Sequence, residues 1–113
     1  MYKITFKKMT ALSFSAFDWD DGNRQKCLKH GVPLADIEDL FARRIAIVPD
    51  PEHSSEEDRF HAIGTTSKGR HVFLAFTLRK RGEATLIRPI SARYMHKKEI
   101  EHYEKETAKA PKR

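Results

Sequence analysis

The chain has 113 residues, 39% apolar and 34% charged, with a net charge of +6. That length gives one core, since a second domain needs roughly 50 residues of its own, and the composition is globular rather than disordered. No apolar run approaches the roughly 18 residues of a membrane span, the first residues lack a signal-peptide pattern, and the lone Cys27 excludes an internal disulfide; a cytoplasmic protein is expected.

Residues 1–12 read as a lead-in, with translation starting at Met1 or Met9. Residues 14–18 (FSAFD) form a short strand candidate. Asp20 is suited to cap a helix, because its carboxylate accepts free amide hydrogens of the first turn. That helix is expected to run to about His30 and stop at Gly31, which takes the left-handed position beyond a helix end without a Cβ penalty. Pro33 suits the first turn of a second helix, where Leu34, Ile37, Leu40 and Phe41 share one face. Asp36, Glu38 and Asp39 lie early in it, where negative charge complements the helix dipole.

The second half reads as strands. Residues 45–48 are a short apolar strand closed by Pro49–Asp50–Pro51, and residues 52–58 are a polar loop. Residues 59–65 alternate, Phe60 and Ala62 on one side, Arg59, His61 and Ile63 on the other. Ser67–Lys68–Gly69 turns the chain into an apolar run at 71–78, expected to be a central strand. Residues 79–83 are expected to turn it again, into a strand at 84–90. Pro89 cannot donate to a ladder, so that strand is expected at an edge or already ending. A closing helix follows, with Met95 or Ile100 and Tyr103 as its buried contacts, and residues 107–113 are a basic tail. The order β-α-α-β-β-β-β-α predicts an α+β domain, an antiparallel or mixed sheet of four to five strands with helices against it.

Charge is unevenly spread. Residues 34–58 hold eight acids against Arg43 and Arg44, whereas residues 59–98 hold ten Lys and Arg against Glu83 alone. A block so basic suits a polyanion, although a solvated basic face would look the same. Arg is fitted to phosphate, since its planar fork bonds two oxygens and stays protonated. Arg59, Arg79, Arg88 and Arg93 lie on or beside the strands of this block. On the first helix Asn23, Lys26 and His30 fall on one face, where a lysine and a histidine can donate to phosphate or carry protons. Lys29, Arg70, Lys97 and Lys98 are further candidate RNA contacts. Trp19 suits stacking on a base, or a place in the core. Cys27 and His30 are neighbours without an oxyanion or orienting signature, so a thiol nucleophile is not expected. His53, His61 and His71 are too widely spaced for a metal site, and neither metal nor cofactor is expected.

Over residues 17–104 these pieces fall into a known order. Phe17–Asp18–Trp19–Asp20, then Asn23, Lys26 and Lys29–His30–Gly31–Val32; Phe41 and Asp50–Pro51; Glu57–Asp58–Arg59–Phe60 with Ala62–Ile63–Gly64; Thr77–Leu78–Arg79; Arg88–Pro89–Ile90–Ser91–Ala92–Arg93; and finally Glu99 and Tyr103. Together they resemble the BrnT family of bacterial toxins. Two positions differ: His96 stands where the family has Thr or Ser, which is expected to weaken a capping box with Glu99, and Pro89 replaces a β-branched residue. The resemblance implies a fold similar to RelE-type ribonucleases and metal-independent cleavage by attack of the RNA's own 2′-hydroxyl. It also implies a BrnA-like ribbon-helix-helix antitoxin, in a complex with two toxin copies. A module that binds nucleic acid through the same face without cutting is the alternative.

Overall fold

The computed structural model describes residues 5–8, 14–50, 52 and 57–108; the rest of the expected lead-in, the tail from 109, Pro51 and His53 lie outside them. The elements in chain order are β1 (Thr5–Lys8), β2 (Ala16–Phe17), α1 (Asp21–Leu28), α2 (Leu34–Leu40), β3 (Arg44–Pro49), β4 (Arg59–Thr65), β5 (His71–Arg81), β6 (Ala84–Tyr94) and α3 (Lys97–Ala108). Six strands form a mixed sheet in the order β1-β3-β4-β5-β6-β2, antiparallel except that β2 runs parallel to β6. The domain is α+β, as expected, with β1 lying within the expected lead-in.

Three turns need a glycine. Gly31, Gly69 and Gly82 have φ of +82°, +81° and +60°, a region open to glycine at no steric cost. Gly82–Glu83 is a two-residue hairpin closed by Arg81 opposite Ala84. Positive φ at its first position alone is the II′ pattern that matches strand twist. The turn is therefore shorter than residues 79–83, and Arg79, Lys80 and Arg81 belong to the strand. The expected end of the last strand near Ile90 is likewise corrected, since β6 runs through Pro89 to Tyr94. Pairing shifts between Ala75–Ser91 and Phe76–Pro89, leaving Ile90 as the extra residue of a bulge. Pro89 is tolerated because β2 stops at Phe17, opposite Ile87, so no neighbouring strand asks for its missing donor.

The core lies on one face of the sheet. Val72, Leu74 and Phe76 alternate along β5 and are buried with Ala62, Ile87 and Ala92 from the flanking strands. Against them pack Cys27 of α1, Ile37 and Leu40 of α2, and Phe41, all at most 1% exposed. Phe14, Phe17, Phe41, Phe76 and Phe60 form a chain of ring contacts at 5.3–5.6 Å, edge-on except the stacked last pair. Gly64 permits this packing: a Cβ there would lie 2.9 Å from Ile45 Cγ2 and 3.0 Å from Leu40 Cδ2.

Register fixes what the opposite face carries. Arg59, Thr77 and Arg88 stand in one row across β4, β5 and β6; His61, Ala75 and Ser91 form the next; Ile63, Phe73 and Arg93 the third. Partners in a ladder share a side, and residues two apart on a strand share it again. The face opposite Val72, Leu74 and Phe76 is therefore cationic at one end, small in the middle and aromatic at the other. Over that aromatic end lies α3, tied down by Arg93, whose Nη1 and Nη2 donate to the two carboxylate oxygens of Glu99 at 2.7 and 2.8 Å.

Candidate active site

Helix α1 is set against β6 by its own cap. Asp20 Oδ1 accepts from the Asn23 amide at 2.9 Å, and Asn23 Oδ1 accepts from the Asp20 amide at 2.7 Å, a reciprocal box that satisfies donors at the helix start. The buried Asn23 Nδ2 then donates to Asp18 O and Pro89 O at 2.9 and 2.8 Å. Asn23 is thus the pin between helix and strand, with its amide engaged, at the wall of the adjoining cleft.

This docking closes a cleft of about 700 Å³ between α1 and the cationic row. Lys26 enters it from α1, Arg59 from β4, Arg79 and Thr77 from β5, and Arg88 from β6, with Asp20, Asp21 and Glu57 at its rim. The structure therefore brings Lys26, Arg59, Arg79 and Arg88 together. Arg88, 19% exposed, donates through Nη2 to Asp20 Oδ2 at 2.7 Å and has Nη1 3.4 Å from Asp18 Oδ2. Hydrogen bonds from the Asn23 amide and then from Arg88 hold the Asp20 carboxyl below its ordinary range; the bond to Asp20 in turn raises Arg88. Arg79 Nε lies 3.4 Å from Glu57 Oε2, both nearly half exposed. The Thr77 hydroxyl donates to Asp58 O, fixing the loop that leads into Arg59. Carboxylates thus hold cations of an open cleft at positions that a phosphate can take over.

The other expected site residues lie elsewhere. His30 is exposed beyond the end of α1, which stops at Leu28, two residues short of the expectation; it does not line the cleft. Arg93 shares the sheet face but stands two rows away, committed to Glu99 and stacked 4.7 Å over Phe73. Glu99 also accepts from the His96 amide at 2.9 Å, so half the capping box survives without a Thr or Ser; Arg93 and this bond hold the Glu99 carboxyl down at about 2. Trp19 packs against the core and its Nε1 donates to Glu38 Oε2 at 2.8 Å. Arg70 lies 3.5 Å over the Tyr94 ring, Lys29 and Lys97 are exposed, and Lys98 lines a second pocket beside α3. Burial pushes the Cys27 thiol up to about 11, so it is no nucleophile at neutral pH. Among the described residues no three His, Cys, Asp or Glu converge as metal ligands.

Sequence reasoning missed two rim carboxylates, Asp20 and Glu57, as site residues, and the pairing of His61 with Asp50, whose Nε2 and Oδ2 lie 3.1 Å apart. The alternation of residues 59–65, which puts His61 on the Arg59 side, was the available signal.

A family model described as the ribonuclease toxin BrnT of a type II toxin–antitoxin system matches residues 19–99, which span both helices of the core face, the cleft and the start of α3. No curated protein matches the chain. No helix among the described residues is long and apolar enough to cross a membrane.

Proposed function

The chain belongs to the BrnT family of ribonuclease toxins of type II toxin–antitoxin systems, and from that premise we propose that it cuts RNA without a metal, in the cleft between α1 and the cationic row. The observation that carries this reading is the convergence of Lys26, Arg59, Arg79 and Arg88 on one open cleft. Arg59 and Arg88 stand two strands apart, about 10 Å between Cα atoms, so their long side chains can close on one phosphate between them. There they offset the charge that builds on phosphorus oxygens as the substrate's 2′-hydroxyl attacks. Arg79 exchanges Glu57 for a neighbouring phosphate, and Lys26 donates its proton to the departing 5′ oxygen. The products are a 2′,3′-cyclic phosphate and a free 5′-hydroxyl.

The family implies an antitoxin. We place it as a small ribbon-helix-helix protein whose acidic, partly disordered arm covers the cleft and competes with phosphate for the same donors. Such a fold is a dimer with one arm per subunit, which gives a complex with two toxin copies. A RelE-like fold and a cytoplasmic location fit this reading. The experiment is incubation of purified protein with RNA in EDTA, followed by analysis of the ends. Binding without new ends would favour the non-cutting alternative.

A further inference from the structure

Among the described residues the cleft is lined by cations and engaged carboxylates and by no histidine. Asp20 is held low by Asn23 and Arg88, and Glu57 is paired with Arg79. Taking the proton from a 2′-hydroxyl calls for a base that titrates near the working pH, and imidazole is the side chain that does so.

His61 stands one row along the same sheet face. It is two residues from Arg59 on β4, so the Cα atoms are about 7 Å apart and the side chains leave on the same side. Its Nε2 lies 3.1 Å from Asp50 Oδ2, with the two side chains only 18% and 7% exposed. The Asp50 amide donates to Arg59 O at 2.9 Å, so the strand that carries Arg59 and His61 also fixes the carboxylate that faces the imidazole. The ring is steadied on its flank by Phe73, centroids 4.6 Å apart. The other members of its row, Ala75 and Ser91, are small and only partly buried, so no large side chain of that row stands beside the imidazole. On its far side His61 lines an open, mainly apolar pocket of about 470 Å³ with Ile63, Phe73 and Tyr103.

We propose that His61 is the general base of RNA cleavage and that Asp50 is its positioning residue. With Nε2–H donating a hydrogen bond to the Asp50 carboxylate, Nδ1 accepts the proton of the 2′-hydroxyl. The O2′–phosphorus bond forms, the bond from phosphorus to the 5′ oxygen breaks, and that oxygen takes its proton from Lys26. Solvent then returns the proton from imidazolium to lysine. A buried carboxylate behind the imidazole fixes its tautomer and stabilises the imidazolium that forms, the division of labour of a His–Asp pair in acyl transfer. Charged groups facing His61 are Asp50 from the end of β3, Arg59 along β4, and Lys98, Glu99, His102 and Glu106 from α3 across the pocket. Glu99 is occupied by Arg93. Asp50 is the carboxylate whose contact with the imidazole is shortest among these, at 3.1 Å.

The inference rests on the ribonuclease reading and is tested so that the two can fail separately. Cleavage of an oligoribonucleotide in EDTA is measured from pH 5 to 9 for wild type, His61→Asn, Asp50→Asn and Arg59→Ala. Binding of the 2′-deoxy analogue and melting temperature are measured alongside. His61→Asn should lose about 10²-fold or more in rate, bind the analogue as wild type does, and lack the fall in rate toward acid that wild type shows. Asp50→Asn should keep that fall but move it to lower pH, because the anion favouring imidazolium is gone. Should His61→Asn fold poorly, His61→Ala opens onto the neighbouring pocket, and added imidazole should restore its activity. A His61→Asn enzyme within threefold of wild type with the same pH profile, beside an inactive Arg59→Ala, overturns the assignment of His61 alone. Wild-type protein that leaves RNA intact overturns the ribonuclease reading with it.

Discussion

Nη2 of Arg88 donates to Oδ2 of Asp20 at 2.7 Å, so the residue that caps the first helix also holds a cation of the last strand. Arg88 also approaches Asp18, which meets Arg81 at 3.3 Å. The network orients the guanidinium before substrate arrives and cancels part of its charge. Asp20→Asn keeps a good cap but removes the anion. We expect near-unchanged stability and tighter RNA binding, with the slope of log affinity against log salt steeper by roughly 0.7 for one further uncompensated charge. An unchanged slope would show that Arg88 does not meet phosphate.

Gly64 sits where two layers touch. An added methyl meets Ile45 at 2.9 Å and Leu40 at 3.0 Å, both fully buried, so something must shift. Gly64→Ala should cost about 1–3 kcal/mol, the usual scale of overpacking. Urea denaturation measures it, and a neutral or stabilising result would mean that α2 and β3 part more easily than their burial implies.

The Arg93–Glu99 pair predicts a pH dependence. The Glu99 carboxyl is held at about 2, below its ordinary 4.5, by Arg93 first and then by the His96 amide. A depressed carboxylate stabilises the folded state above its unfolded pKa and loses that contribution as pH falls toward the folded one. The hold of α3 on the sheet should therefore weaken between about 4.5 and 2, and Glu99→Gln should remove this dependence. Hydrogen exchange along residues 97–108 reads it directly. Arg93→Ala should loosen α3 in the same way while sparing most cleavage. A loss near 10²-fold with α3 still protected would instead return Arg93 to the catalytic group, where the sequence had put it.

Competition between antitoxin and RNA is the fourth consequence. Reversing charge at Arg59 and Arg79 together should weaken antitoxin binding along with RNA binding, whereas Lys29→Glu, outside the cleft lining, should spare both. Titration of each variant with the cognate antitoxin decides it; unchanged affinity of the double variant would place inhibition on another surface.

The order from β2 to α3 was legible because apolar spacing and turn glycines agree: Ile37, Leu40 and Phe41 repeat as a helix face, Phe60 and Ala62 alternate, and Gly31, Gly69 and Gly82 mark chain reversals. β1 was not, since TFKK carries too little apolar signal to separate it from a lead-in. The hairpin was misplaced because Arg79, Lys80 and Arg81 look like a turn when their strand partners are unknown. Pro89 argued for a strand end, and only the bulge at Ile90 with the early stop of β2 explains how the strand continues. The cations of the site could be named but not grouped. Their grouping depends on cross-strand register, Arg59 with Thr77 and Thr77 with Arg88, which single-strand patterns do not contain. Arg93 fell out of the group through the same register, and His30 because α1 ends one half-turn early.

The central claim is that Arg59 and Arg79 act on phosphate in a cleft that needs no metal. It is tested most directly by the rate at which wild type and an Arg59→Ala, Arg79→Ala double variant cut a defined RNA in EDTA. The expected result is cleavage by wild type with 2′,3′-cyclic ends, and a loss of at least about 10²-fold in a double variant that melts as wild type does. Cleavage that begins only when Mg²⁺ is added, or a double variant that cuts at the wild-type rate, would contradict it.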